Sequence, residues 1–513
     1  MAGAASDTVS VHPTPLPPIP DVRGPLSITV VYPKAGSVVA ARDSNFIFGS
    51  VGSGDATLSI NGYPVKVEPN GAFLAWLPMP DTALARYDLV AARGADTARY
   101  THVIAFPPRR SAADSADSAM AKTPFPDSGR FEAIGLVPSA TGLSDTDRVI
   151  PARPIPGGTY KWFLWPGTIV QVTGRAGGGG GAFWRVRLDA SLEAWVNAAD
   201  MRQPPGTSPV VAAPHRVVTA GRVASAPGWV DVILPVGASS PPPYLVDERE
   251  TDLVLTLYGT TAAPDVIQYN TPDSLVRAVT WEPVTDDRAQ FTVHLTARPY
   301  GYLMLWDAGT NRLVLRVRRP PVVDPSAPLK GRVIVVDPGH PPIGATGPTG
   351  LWEPVPTLAV GQLLREELIA RGATVVMTRT TPDPVALEVR PAIARRAKGD
   401  LLVSIHFNAL PDGLNPYTSH GTGTYFYQPH SIALARDVQE GMLRRMGLRD
   451  RGIFYENFAL VRTTWMPSVL CEGAFIIMPD QEAAIRTPEF QRAYALGVAD
   501  GIEAFFRSLG SPK

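Results

Sequence analysis

One cysteine, Cys471, stands in 513 residues, so the chain forms no intrachain disulfide and holds no cysteine-rich zinc finger. Neither charge sign is in excess. The 47 basic and 47 acidic residues leave a formal net charge of zero, which argues against nucleic acid or an anionic membrane surface as partner. No run approaches the roughly 18–20 apolar residues that span a bilayer, so no transmembrane segment is expected. The first 20 residues lack a basic stretch followed by an apolar core, and no secretory signal is visible in them. Punctuation is abundant instead. With 53 prolines and 46 glycines, the chain is expected to be rich in turns and linkers rather than long helices.

The length exceeds one ordinary domain. Residues 1–25 read as a disordered arm. Over 26–106, short runs such as Ser27–Tyr32, Phe46–Phe48 and Leu58–Ile60 are punctuated by Asn61-Gly62 and Asn70-Gly71, both hairpin signals. This pattern resembles an immunoglobulin-like β-sandwich. A polar linker covers 107–130. Residues 131–203, with Trp162, Trp165, Trp184, Trp195 and the run Gly177–Gly181, resemble an SH3-like β-barrel. A second joint, 204–214, leads to a β region over 215–318 that resembles a β-sandwich targeting module. A proline-rich linker, 319–330, closes it.

From residue 331 the rhythm becomes alternating strands and helices. Helical spacing is expected over 354–371, 387–398, 431–446 and 488–509. Strands are expected over 332–336, 373–377, 401–407, 458–462 and 468–470. The fold class is therefore three small all-β modules followed by an α/β domain over 331–513 with a mainly parallel sheet. Such sheets gather chemistry at their strand ends. His340 follows the run Val333–Val336 through Asp337-Pro338-Gly339, and His406 ends the run Leu401–Ile405. Glu353 lies 13 residues after His340 and directly before Pro354, a residue well placed at a helix start. Glu472 follows the apolar run Ser468–Cys471, where a carboxylate is costly unless paired or functional. Two histidines and a carboxylate form the three-ligand set of an open zinc site, and Glu472 remains as a free acid. His420 and His430 are other possible ligands, expected instead as exposed loop residues. Cys471 reads as a small buried apolar residue.

This order of motifs resembles the zinc-dependent N-acetylmuramoyl-L-alanine amidase family, the type opening with Asp-Pro-Gly-His. The similarity takes in Val375–Arg379, Arg390, Ala397–Asp400 leading into Ser404–Asn408, and Met466–Phe475. It departs where Pro341-Pro342 replace the usual two glycines. The resemblance implies that His340, Glu353 and His406 bind one Zn2+ and that Glu472 is catalytic. It implies cleavage of the amide between N-acetylmuramic acid and L-alanine, with peptidoglycan as partner and an extracytoplasmic location. Some family members plug the site with an extra helix. The short connections around 421–458 leave no room for one, so an open site is expected. Two alternatives stay open at this point: a non-catalytic cell-wall-binding scaffold with a degenerate amidase domain, and a zinc amidase or peptidase acting on another N-acyl substrate.

Overall fold

Short strands with alternating exposure build the front of the molecule. In Arg288–Leu295, for instance, Ala289, Phe291, Val293 and Leu295 are buried while their neighbours are only part-buried, the period-2 signature of a sheet with one covered face. A computed structural model describes residues 16–81, 85–107, 130–133, 149–176, 182–202, 214–270 and 272–510. The arm up to residue 15, the linker over 108–129, the run Gly177–Gly181 and the joint over 203–213 lie outside the described residues.

Five sheets precede residue 331 among the described residues. Thr29–Tyr32, Ser44–Ser50 and Ala72–Pro78 form one, and Thr57–Ile60, Tyr63–Val65, Arg86–Arg93 and Asp96–Val103 face it. The hairpin between Ile60 and Tyr63 turns through Asn61 and Gly62, both at positive φ, as such a two-residue loop requires. A five-stranded sheet follows over 130–202. A six-stranded sheet then joins Ile150–Ala152 and Trp162–Leu164 to four strands between Tyr244 and Leu295, through the pair Phe163 and Tyr244. It therefore runs across the joint at 204–214. The fifth sheet holds the one parallel pairing among these described strands, Arg216–Ala226 with Thr260–Tyr269.

The C-terminal α/β region is built on a six-stranded sheet. Its elements are β1 (Val333–Pro338), α1 (Pro354–Ala370), β2 (Thr374–Met377), α2 (Val389–Arg396), β3 (Leu401–Asn408), α3 (Pro416–Ser419) and β4 (Thr422–Phe426). They continue with α4 (Ile432–Met446), β5 (Asp450–Tyr455), β6 (Ser468–Phe475), α5 (Pro479–Ile485) and α6 (Pro488–Leu509). The strand order is β2-β1-β3-β6-β4-β5, and every pairing is parallel except β4 with β6. Near-continuous burial along β1, β3 and β6 fits strands covered on both faces. Helices α4 and α6 pack so closely that a Cβ on Gly441 would lie 2.2 Å from the Gly497 carbonyl oxygen.

Two expectations need correction. Residues 458–462 form no strand: Ala459–Arg462 is a 3₁₀ turn whose Leu460 and Val461 are buried. A run of four apolar residues, Phe458–Val461, does not distinguish the two states. The strand expected over 468–470 extends to Phe475, which places Cys471 and Glu472 inside it.

The front sheets are bound to this region. Phe46, Phe48 and Leu74 belong to the same buried cluster as the α/β core. Asp412 accepts hydrogen bonds from the Tyr32 hydroxyl, from Asn45 Nδ2 at 3.0 Å and from the Ala40 amide at 2.9 Å. Farther along, Arg318 pairs with Asp400 at 2.8 Å, and the Tyr302 amide donates to the Thr464 carbonyl at 2.7 Å.

Candidate metal centre

The strand β1 delivers its last residues into a turn held by two arginines. Asp337 is fully buried and accepts from Arg390 at 2.9 Å, from Ser404 at 2.6 Å and from the Thr378 hydroxyl. Arg390 also donates to the carbonyls of Pro338 and His340, both at 2.9 Å. His340 adopts φ +60°, a left-handed conformation that costs a non-glycine residue of order 1 kcal/mol. The Arg390 bond to its carbonyl helps hold it there. Arg379 donates to the carbonyls of Pro338, Gly339 and Pro354 and to Thr357 Oγ1, at 2.9–3.0 Å. One guanidinium thus ties the loop bearing His340 to the helix start after Glu353. Its burial, with the Arg390 charge beside it, lowers its pKa to about 10.

Glu353 sits before Pro354 at the start of α1, almost fully buried. Each carboxylate oxygen has one imidazole and one backbone donor. Oε2 lies 3.1 Å from His340 Nε2 and accepts from the Ala345 amide at 2.9 Å. Oε1 lies 3.2 Å from His406 Nδ1 and accepts from the Phe407 amide at 3.1 Å. Burial alone would raise its pKa, but the hydrogen bonds from both histidines and their charge pull it well below the usual carboxylate range. The two imidazole rings lie 4.8 Å apart, nearly perpendicular. His406 is pinned from below, where the Tyr494 hydroxyl donates to its carbonyl at 3.2 Å. The ligand atoms of His340, Glu353 and His406 all fall within 4.8 Å of one another. This donor set, two imidazoles and one carboxylate with backbone support behind the acid, fits a three-ligand metal site with an open position.

Glu472 is not in that set but adjoins it, since it pairs in register with His406 across β3 and β6. Its Oε2 is shielded from solvent and has no hydrogen-bond partner among the described residues. Burial raises its carboxyl pKa well above the usual range, the Glu353 charge adds to this, and Arg451 opposes it. The charged form of this acid is thus disfavoured, and its bare Oε2 is left facing the donor set as a candidate proton carrier. Cys471, the preceding strand residue, points to the opposite face and is fully buried, and burial raises its thiol pKa.

The other histidines lie elsewhere. His420 contacts the Pro416 carbonyl at 2.8 Å. His430 is not the exposed loop residue expected: it is buried, with Nδ1 2.7 Å from Glu248 of the front sheets. That partner, 182 residues away, left no local signal. Glu482 was also missed. Fully buried on α5, it accepts from the amides of Thr349 and Leu351 at 2.8–3.1 Å and so braces the loop leading to Glu353. A cavity of about 860 Å³ opens away from the centre, between Tyr160, Phe163 and Tyr244 of the front sheets and Tyr427, Tyr455 and Trp465.

Residues 334–504 match the family described as N-acetylmuramoyl-L-alanine amidase. YqiI of Bacillus subtilis strain 168 is 31% identical over 192 residues, covering 36% of this chain and 90% of YqiI. The probable cell wall amidase LytH of Staphylococcus aureus is 34% identical over 184 residues, covering 35% of this chain and 60% of LytH. The N-acetylmuramoyl-L-alanine amidase LytC of Bacillus subtilis strain 168 is 33% identical over 186 residues, covering 35% of this chain and 36% of LytC. Among solved structures, the catalytic domain of CwlV, an N-acetylmuramoyl-L-alanine amidase from Bacillus (Paenibacillus) polymyxa var. colistinus, is 34% identical. It covers 34% of this chain and 97% of that one, with a TM-score of 0.32.

Proposed function

Because the chain belongs to the N-acetylmuramoyl-L-alanine amidase family, we propose that it cleaves the amide joining N-acetylmuramic acid to L-alanine in peptidoglycan. In this reading His340, Glu353 and His406 hold a zinc ion, and Glu472 moves the protons. The observation that carries it is the adjacency of the His340/Glu353/His406 cluster to an acid whose Oε2 has no partner.

When bound, zinc supplies Lewis-acid polarisation and lowers the pKa of water toward roughly 7. The chain's own residues do the rest. Arg379 and Arg390 fix the His340 turn, and the amides of Ala345 and Phe407 orient Glu353, so the donor atoms need little rearrangement. Glu472 takes a proton from the attacking water and returns it to the departing amine, a role open to it because its Oε2 has no other hydrogen-bond partner among the described residues.

Peptidoglycan lies outside the cytoplasmic membrane, so an extracytoplasmic site of action follows from this substrate. No helix among the described residues is long and apolar enough to cross a membrane. The front strands serve here as β-rich accessory regions ahead of the catalytic domain, the second and third of them sharing one sheet. Only residues 427–431 and 447–449 join β4 to α4 and α4 to β5. Such short connections support a centre that works without an activator.

The test is digestion of purified peptidoglycan by the zinc-loaded full chain, with mass spectrometry of the products and metal analysis. Wild type is expected to release peptides beginning with alanine. Glu472→Gln is expected to keep its metal and lose about 100-fold or more of the rate. New termini elsewhere in the peptide, or a fully active Glu472→Gln enzyme, would overturn this reading.

A further inference from the structure

The register of the sheet lines up more than the metal centre. His406 on β3 pairs with Glu472 on β6, and Glu472 pairs with Gly423 on β4. Beyond Gly423, the pairing with β5 is irregular. Thr422 matches Asp450 and Gly423 matches Gly452, which leaves Arg451 as the extra residue. Such an irregularity re-aims a side chain. Here the Arg451 guanidinium carbon lies 5.1 Å from the ring centres of both Phe454 on β5 and Phe475 on β6. It therefore leans across the strand that carries Gly423, where the Phe454 ring takes the space a side chain would fill: a Cβ on Gly423 would lie 3.2 Å from Phe454 Cε2. Its Nη1 lies 3.4 Å from the Tyr425 hydroxyl, which Asn408 Nδ2 also approaches at 3.4 Å. The chain offers this cation two aromatic faces and a hydroxyl, and no ion pair with a carboxylate among the described residues. Arg379 and Arg390, by contrast, are occupied by carbonyls and by Asp337.

An arginine without an ion pair, flanked by aromatic rings two strands from the proton-moving acid, suits an incoming carboxylate. Two steps across the sheet, each about 4.8 Å, separate the Glu472 and Arg451 backbones. That distance is about three residues of extended peptide, at roughly 3.4 Å each, and the lean of Arg451 toward Phe475 shortens it. Resting on the amidase reading above, we propose that Arg451 binds the carboxylate of the second residue of the released peptide. The binding sets the direction of the substrate across the sheet. The anionic peptide lies over β4 and β5. The uncharged sugar lies on the other side of the centre, toward the loop before α1 and the first turn of that helix, where Ile343, Trp352 and Val355 are exposed. An indole face next to a metal-centre residue is the kind of apolar platform on which a sugar ring stacks.

Two soluble N-acetylmuramyl-L-alanyl dipeptides test this, one with a free carboxylate on its second residue and one with the carboxamide there. The zinc-loaded full chain is expected to favour the acid by about tenfold in kcat/KM, chiefly through KM, as loss of a charge-assisted bond implies. In Arg451→Gln that ratio is expected to fall below about twofold, and Arg451→Lys keeps part of it as a point charge. Affinities of both dipeptides for Glu472→Gln by calorimetry should show the same preference without turnover. Equal cleavage of both by wild type would overturn the proposal alone. So would a preference that survives Arg451→Gln while the pH profile moves equally for both, since Arg451 would then serve only as a counter-charge to Glu472. Cleavage of neither would overturn the amidase reading and this proposal with it.

Discussion

Gly339 has no place in the donor set, yet a single methyl group there should loosen the metal. A Cβ built on Gly339 would lie 2.4, 2.5 and 2.7 Å from Cε1, Nε2 and Nδ1 of His406, where ordinary contact begins at 3.4 Å. The shortfall is about 1 Å and falls on three ring atoms at once. Neither side yields easily. The His406 backbone is paired within β3 and its carbonyl is held by Tyr494, while the Gly339 carbonyl is held by Arg379 and Thr357. The ring must therefore swing out of line. Metal sites tolerate roughly 0.2 Å of displacement, and losing a supporting partner typically costs 10–100-fold in affinity. Gly339→Ala is expected to weaken zinc binding by about that factor, or about 1.4–2.7 kcal/mol. Competition with a chromophoric chelator gives the dissociation constants, and thermal melts in excess EDTA compare the metal-free folds. Wild-type affinity in Gly339→Ala, or a metal-free melting point lowered as much as the loaded one, would refute the reasoning.

Two further outcomes concern stability. Asp437 on α4 is half-buried, and burial together with Glu440 raises its carboxyl pKa from 3.8 to about 6. A group raised in the folded state contributes stability below its unfolded pKa and loses it as pH climbs through the folded value. The penalty therefore grows between pH 3.8 and about 6 and is complete above that. Scaled down for solvent exposure it is about 1 kcal/mol. Asp437→Asn should thus unfold at higher denaturant concentration than wild type at pH 7.5 and at the same concentration at pH 3.5, and no gain at pH 7.5 would contradict this. Gly501→Ala should destabilise despite the better helix propensity of alanine. Its Cβ would lie 2.4 Å from Val438 Cα and 2.5 Å from the Asp437 carbonyl oxygen, both backbone atoms of the facing helix. A loss of about 2 kcal/mol is expected from forcing α4 and α6 apart. An unchanged or raised melting temperature would count against it.

The legible part of this molecule is the part governed by local rules. Helix α6 begins at Pro488 after Thr487, whose side chain caps the Phe490 amide, and its buried Phe490, Tyr494, Val498, Ile502 and Phe505 recur at helical spacing. His340 and His406 were legible as candidates because each ends a run of buried β-branched or aliphatic residues, and Glu353 because Pro354 marks a helix start. What stayed hidden depends on distant partners. Nothing near His430 announces Glu248, and nothing near Asp412 announces Tyr32. Ala459–Arg462 went astray because its apolar residues fill a pocket beneath Met466 rather than pairing with a strand. Arg451 escaped notice because its importance comes from a register irregularity, which no composition reports.

The joint at Asp412 has a consequence for anyone trimming this chain. Phe46, Phe48 and Leu74 are part of the α/β core itself, so excising the C-terminal region would leave an apolar scar on it and strip Asp412 of its three donors. The shortened enzyme would carry a sticky face, and its aggregation would be mistaken for inactivity. Left whole, the chain keeps that scar covered, because the strands bearing Phe46, Phe48 and Leu74 act as a lid the catalytic region cannot make for itself.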